Sequence, residues 1–168
     1  MPPRLPQYIE PARLAEASES VTGRLDLEGM QRLRAVLCEP RAEIAFSLHF
    51  QKDERGFIII RGEFATDLVL RCQRCLEPLP VRLEKTIGIG WATDTAGLEA
   101  VPEDLEPTLA KEPRVALRDL IEEEVLLGLP MAPAHAEEEC PASVLLQELK
   151  AHKDKPFAVL KNMKLKKH

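Results

Sequence analysis

Cys72-Gln73-Arg74-Cys75 sets two thiols three positions apart, and a turn that tight can aim both sulfurs at one point. Such a pair is half of a tetrahedral zinc site, which takes four nitrogen or sulfur ligands. The other half must come from elsewhere in a chain that holds only 4 cysteines and 4 histidines. His135-Ala136-Glu137-Glu138-Glu139-Cys140 offers an imidazole and a thiol close together. The expectation is therefore a structural zinc ion held by Cys72, Cys75, His135 and Cys140. The plainer alternative is a set of unmetallated cysteines packed together. Cys38, with no second cysteine nearby, reads as a small packed residue, and the lone His49 reads as a surface residue.

The stretches around the cysteine pair carry a β pattern. Ile44, Phe46, Leu48 and Phe50 share one face of a period-two run, with Glu43, Ala45, Ser47 and His49 on the other. Gln51 to Gly56 is charged and ends in glycine, so it should turn the chain into a second strand from Phe57 through Leu70. Val81, Leu83, Ile87, Ile89 and Trp91 share the parity of a third strand, interrupted by Lys85. Val21 to Leu27 alternates weakly as a further strand. Met30, Leu33 and Leu37 recur at helical spacing before Pro40, and Leu117, Leu120, Ile121, Val125 and Leu129 do so again. Pro113 is expected to open this second helix, Gly128 and Pro130 to close it, and Glu122-Glu123-Glu124 to form its solvated face. Leu129 to Pro133 should run extended and deliver His135 and Cys140, with a short helix from Pro141 through Leu149.

The resulting fold class is α+β: an antiparallel β-meander with a Cys-x-x-Cys knuckle near a hairpin end, packed by a few short helices. Residues 1–150 form the domain, residues 92–112 are expected as a flexible acidic loop, and residues 151–168 as a basic C-terminal tail. The knuckle's position argues against thioredoxin-like redox chemistry. That chemistry needs a helix starting at the first cysteine, whereas Cys75 here runs into Leu76-Glu77-Pro78-Leu79-Pro80.

Charge is unevenly distributed. The net charge is −5, yet residues 92–112 carry −5, residues 113–149 carry −6, and Lys150–His168 carries +6. A protein that coats nucleic acid through bulk electrostatics has a basic face, so only the tail fits that description. No run approaches the ~18 uncharged apolar residues of a membrane span, and Met1-Pro2-Pro3-Arg4 lacks the apolar core of a signal peptide. The expected location is the cytoplasm, where thiols stay reduced.

Four blocks together make the chain resemble the YceD family of large ribosomal RNA subunit accumulation proteins. They are Leu70-Arg71-Cys72-Gln73-Arg74-Cys75-Leu76, then Asp119-Leu120-Ile121-Glu122-Glu123-Glu124 leading to Leu129-Pro130, then His135 with Cys140, then Pro156-Phe157-Ala158-Val159-Leu160. Where the family's tail motif has asparagine before Pro-Phe, this chain has Lys155. The resemblance implies a role in accumulation or processing of large-subunit (23S) ribosomal RNA, without catalysis. The partners it implies are the large-subunit RNA or its precursor, or a ribosomal protein.

Candidate contacts for such a partner are Arg71, Arg74 and Arg82 around the knuckle and Lys161, Lys164, Lys166 and Lys167 in the tail, since guanidinium forks suit phosphate. Aromatic residues make up only 4% of the chain, which leaves few platforms for base stacking. Two other function classes are open to the same residues. An enzyme using zinc to activate water, as zinc deaminases do, would use His135-Ala136-Glu137, but that signature places His-x-Glu before the cysteine pair, and Cys140 as a fourth ligand leaves no position for water. A zinc-stabilised adapter would bind a basic ribosomal protein through the acidic stretch.

Overall fold

The computed structural model describes residues 5–110 and 112–143. Its centre is a five-stranded sheet of order β2-β3-β4-β5-β6, formed by β2 (Ser20–Asp26), β3 (Glu43–Lys52), β4 (Ile58–Arg71), β5 (Pro78–Ala92) and β6 (Glu106–Leu109). The first four strands pair antiparallel in sequence order, and β6 returns parallel to β5. A separate two-stranded pair joins β1 (Tyr8–Ile9) to β7 (Val115–Ala116). The helices are α1 (Pro11–Glu16), α2 (Gln31–Val36), α3 (Thr95–Glu99) and α4 (Leu117–Gly128).

The alternation in β3 decides which face is covered. Ile44, Phe46, Leu48 and Phe50 are buried, and register places them beside Phe64 and Ile60 of β4 and, one strand further, Ile89 of β5. Leu33 of α2 and Leu117, Ile121 and Val125 of α4 complete the same core. The opposite face carries small and polar groups such as Thr22, Ser47, Glu63 and Ala65. The β3–β4 turn works through Asp53, whose carboxylate accepts from Arg55 N at 3.0 Å and Phe57 N at 2.8 Å, with Gly56 at φ +81°. Gly62 is required by close strand approach, because a Cβ there would lie 2.1 Å from the Ser47 carbonyl oxygen.

Strand lengths position the knuckle. β3 pairs with β4 only as far as Ile44 opposite Thr66, while β4 and β5 stay paired to Arg71 opposite Pro78. The last residues of β4 and the first of β5 therefore project past β3 as a ribbon, and the Cys-x-x-Cys turn is its tip.

Three expectations change. Residues 92–112 are not a loop without regular structure: they hold α3, capped by Asp94 Oδ1 accepting from Gly97 N at 2.7 Å, and β6. Leu105 is buried, Gly90 leaves space for Val101, and Arg61 pairs with Asp104 at 2.7 Å, so the sheet edge supplies the structure that local composition does not. Next, α4 opens at Leu117 rather than near Pro113, which precedes β7. Finally, Glu122 is not solvated. It is 5% exposed, accepts from Leu33 N at 3.0 Å and from Arg32 Nε at 3.2 Å, and so docks α4 on the first turn of α2, where unpaired amide groups favour an anion. Glu123 remains exposed and pairs with Arg32. The expected helix from Pro141 through Leu149 lies mostly outside the described residues, as does the basic tail.

Candidate metal centre

At the ribbon tip the backbone folds around the first thiol. Leu76 N donates to Cys72 O at 2.9 Å and Cys72 N to Glu77 O at 3.0 Å, while Arg74 N points at Cys72 Sγ at 3.5 Å. Reversal within so few residues puts Leu76 at φ +66°, a left-handed conformation that costs a non-glycine residue about 1–2 kcal/mol. No helix follows Cys75; β5 begins at Pro78.

The second ligand segment is strapped to this tip by three protein hydrogen bonds. Gln73 N donates to Pro133 O at 2.8 Å, the Arg74 guanidinium donates to His135 O, and His135 Nε2 lies 3.2 Å from Pro78 O. A carbonyl can only accept, so the last contact places the imidazole proton on Nε2 and turns the Nδ1 lone pair inward. Beyond it, Cys140 N donates to Ala136 O at 3.0 Å, a turn that swings the third thiol back to the group.

Cys72 Sγ, Cys75 Sγ, His135 Nδ1 and Cys140 Sγ all lie within 4.8 Å of one another, with Cys75 Sγ and His135 Nδ1 at 3.4 Å. Bonds of about 2.3 Å to sulfur and about 2.0 Å to nitrogen would separate tetrahedral ligand atoms by roughly 3.5–3.8 Å. The donor set therefore fits one tetrahedral ion. Cys72 and Cys140 are buried, Cys75 and His135 are half-buried, and no cysteine is in a disulfide among the described residues.

The electrostatics suit a cation. Burial pushes the Cys72 thiol up, but backbone N–H groups of Cys75, Arg74 and His135 outweigh it and bring it down to about 5. Burial also pushes the Cys75 thiol up, helped by the neighbouring thiols of Cys72 and Cys140. One thiolate is thus favoured by the peptide dipoles, and its crowded neighbour lacks a positive charge that a metal would supply.

The other sequence candidates separate. Arg74 is engaged with His135 O. Arg82 is held by Asp67 and Glu84, each at 2.8 Å, so its charge is neutralised, whereas Arg74 has no ion pair among the described residues. Arg71 is exposed. Lys161, Lys164, Lys166 and Lys167 lie outside the described residues. Two parts of the site were not anticipated. The Pro78 carbonyl has no side-chain signal to announce it, and the role of Arg74 depends on where residue 135 arrives.

Residues 60–164 match the family described as large ribosomal RNA subunit accumulation protein YceD. The chain belongs to the YceD family. A relative from Haemophilus influenzae, named large ribosomal RNA subunit accumulation protein YceD, is 30% identical over 171 residues that cover 97% of this chain and 98% of the relative. No solved structure matches. The YceD match runs from within β4 past Cys140, so it contains the ribbon, α4 and all four residues of the cluster. The family is named for accumulation of an RNA and not for a reaction, and no described helix is long and apolar enough to cross a membrane.

Proposed function

We propose that this protein is a non-catalytic factor that supports accumulation or processing of 23S ribosomal RNA in the cytoplasm, with a structural zinc ion at the ribbon tip. The observation that carries the ribosomal role is the full-length similarity to a large ribosomal RNA subunit accumulation protein. Zinc is supported by the donor set: three cysteine sulfurs and one imidazole within 4.8 Å of one another suit a borderline-soft ion without geometric preference. Four protein ligands leave no open coordination position, so the ion would hold the tip together rather than activate water.

The partner is the large-subunit RNA or its precursor. Binding of a basic ribosomal protein through residues 92–112 is the weaker reading, because that segment's Asp94 caps α3 and its Asp104 is paired with Arg61. Sedimentation of tagged protein from lysate, with and without ribonuclease, tests the choice. Co-migration with large-subunit precursors that ribonuclease abolishes is expected; retention of a ribosomal protein after ribonuclease would favour the adapter, and absence of any ribosomal association would end the proposal. Metal analysis of purified protein should give about one zinc per chain.

A further inference from the structure

The arginines of the sheet fall into two groups. On the open face Arg24 pairs with Glu43 at 2.9 Å, Arg82 with Asp67 and Glu84, and Arg61 with Asp104, so these three guanidinium groups are neutralised, whereas Arg71, the last residue of β4 on the same face, is not. Arg41 and Arg71 are exposed and form no ion pair among the described residues. They belong to neighbouring stretches. Cys38 N donates to Val69 O at 2.8 Å, which lays the segment entering β3 alongside the end of β4, and β3 then takes up its register with Ile44 opposite Thr66. The two stretches run antiparallel, so Arg41, three residues beyond Cys38, and Arg71, two beyond Val69, flank that contact on opposite sides along the strand direction.

We propose that the surface carrying Arg41 and Arg71 is where the protein contacts the phosphate backbone of its RNA. The proposal rests on the ribosomal RNA reading above and gives it a location. Glu39 and Glu77 lie on the same stretches, as do Glu43 and Asp67, which are paired with Arg24 and Arg82, so this is not a broad positive field. The contact is made by discrete guanidinium forks, each able to donate two hydrogen bonds to one phosphate. This assignment keeps Arg71 from the sequence-based set, leaves out Arg82, whose charge is paired, and Arg74, whose guanidinium is bonded to His135 O, and adds Arg41.

The test uses the full-length, metal-replete protein and deproteinised 23S RNA transcribed in vitro, with affinity measured across a salt series. The variant Arg41→Glu/Arg71→Glu is compared with Arg13→Glu. Arg13 is also exposed and without an ion pair among the described residues, but lies on α1, whose following turn reaches β3 through Phe50 N donating to Glu19 O at 2.9 Å, at the other end of the sheet. Reversing both arginines should weaken binding at least about tenfold and flatten the salt slope by about two phosphate contacts, while Arg13→Glu leaves both within about twofold. Unchanged melting temperatures would show that all variants are folded. If the double reversal behaves like Arg13→Glu while wild type binds, the surface is wrong and the RNA reading stands. If wild type itself does not bind the RNA near physiological salt, both fall.

Discussion

The two ends of the β4–β5 ribbon are held by different forces. At one end Ile60 and Ile89 are almost fully buried, with β3 on one side, β6 on the other and the helices over the inner face. At the other end β3 has stopped and β6 covers only Ile89–Ala92, so the strands have each other, the 133–140 segment and the chain at Cys38, which bonds Val69 O. Leu70 is still buried there, but Leu76 and Met131, further out, are exposed at 63% and 103%. Hydrophobic stabilisation scales with the area removed from water, and the tip removes little. Hydrogen bonds and the Cys72, Cys75, His135 and Cys140 cluster take its place, so under the proposed function the order of the tip would depend on an ion in a way that the body's does not.

Damage to the body should have the largest effect. Phe50→Ala deletes a fully buried ring and should cost about 3–5 kcal/mol, lowering the denaturant midpoint of the whole domain and taking the metal site with it. Cys140→Ser should act at the other end only. Stoichiometric zinc is lost, amide protection falls in residues 72–77 and 133–140, and protection of residues 44–50 persists. Equal loss of protection in both regions would show that body and tip form one cooperative unit and erase the contrast. The smallest effect belongs to Arg74→Ala, which removes the strap to His135 O but no ligand. Metal affinity, read by competition with a chromophoric chelator, should drop about 10–100-fold with the body's unfolding midpoint unchanged.

What the sequence revealed follows the same division. The body's strands were legible because burial on one face forces alternation, as from Ile44 to Phe50, and α4 because Leu117, Leu120, Ile121 and Val125 fall on one stripe. The ligand set was legible because cysteine and histidine are scarce in this chain. Elements stabilised by their neighbours were not. α1 was hidden in a Pro-rich stretch where Pro11 occupies the start of the helix, a position proline favours. The five residues of α3 and four of β6 are too short for periodicity to register, and both depend on the edge of β5. Glu122 was misread because helical spacing reports a face and not what another helix brings to it. For the same reason Arg74 and Arg82 looked unengaged until their acceptors came into place.

The separation of the ligand pairs along the chain also orders events during synthesis. His135 lies 60 positions after Cys75, an interval of roughly 3–12 s at translation rates of about 5–20 residues per second. Strands β2 to β4 are complete before the first pair of thiols has left the ribosome, and the last ligand emerges only after β5, β6 and α4. For those seconds the nascent chain carries half of the cysteine and histidine cluster on a sheet that is already able to assemble, and closure of the tip waits for the strands and α4 that precede His135.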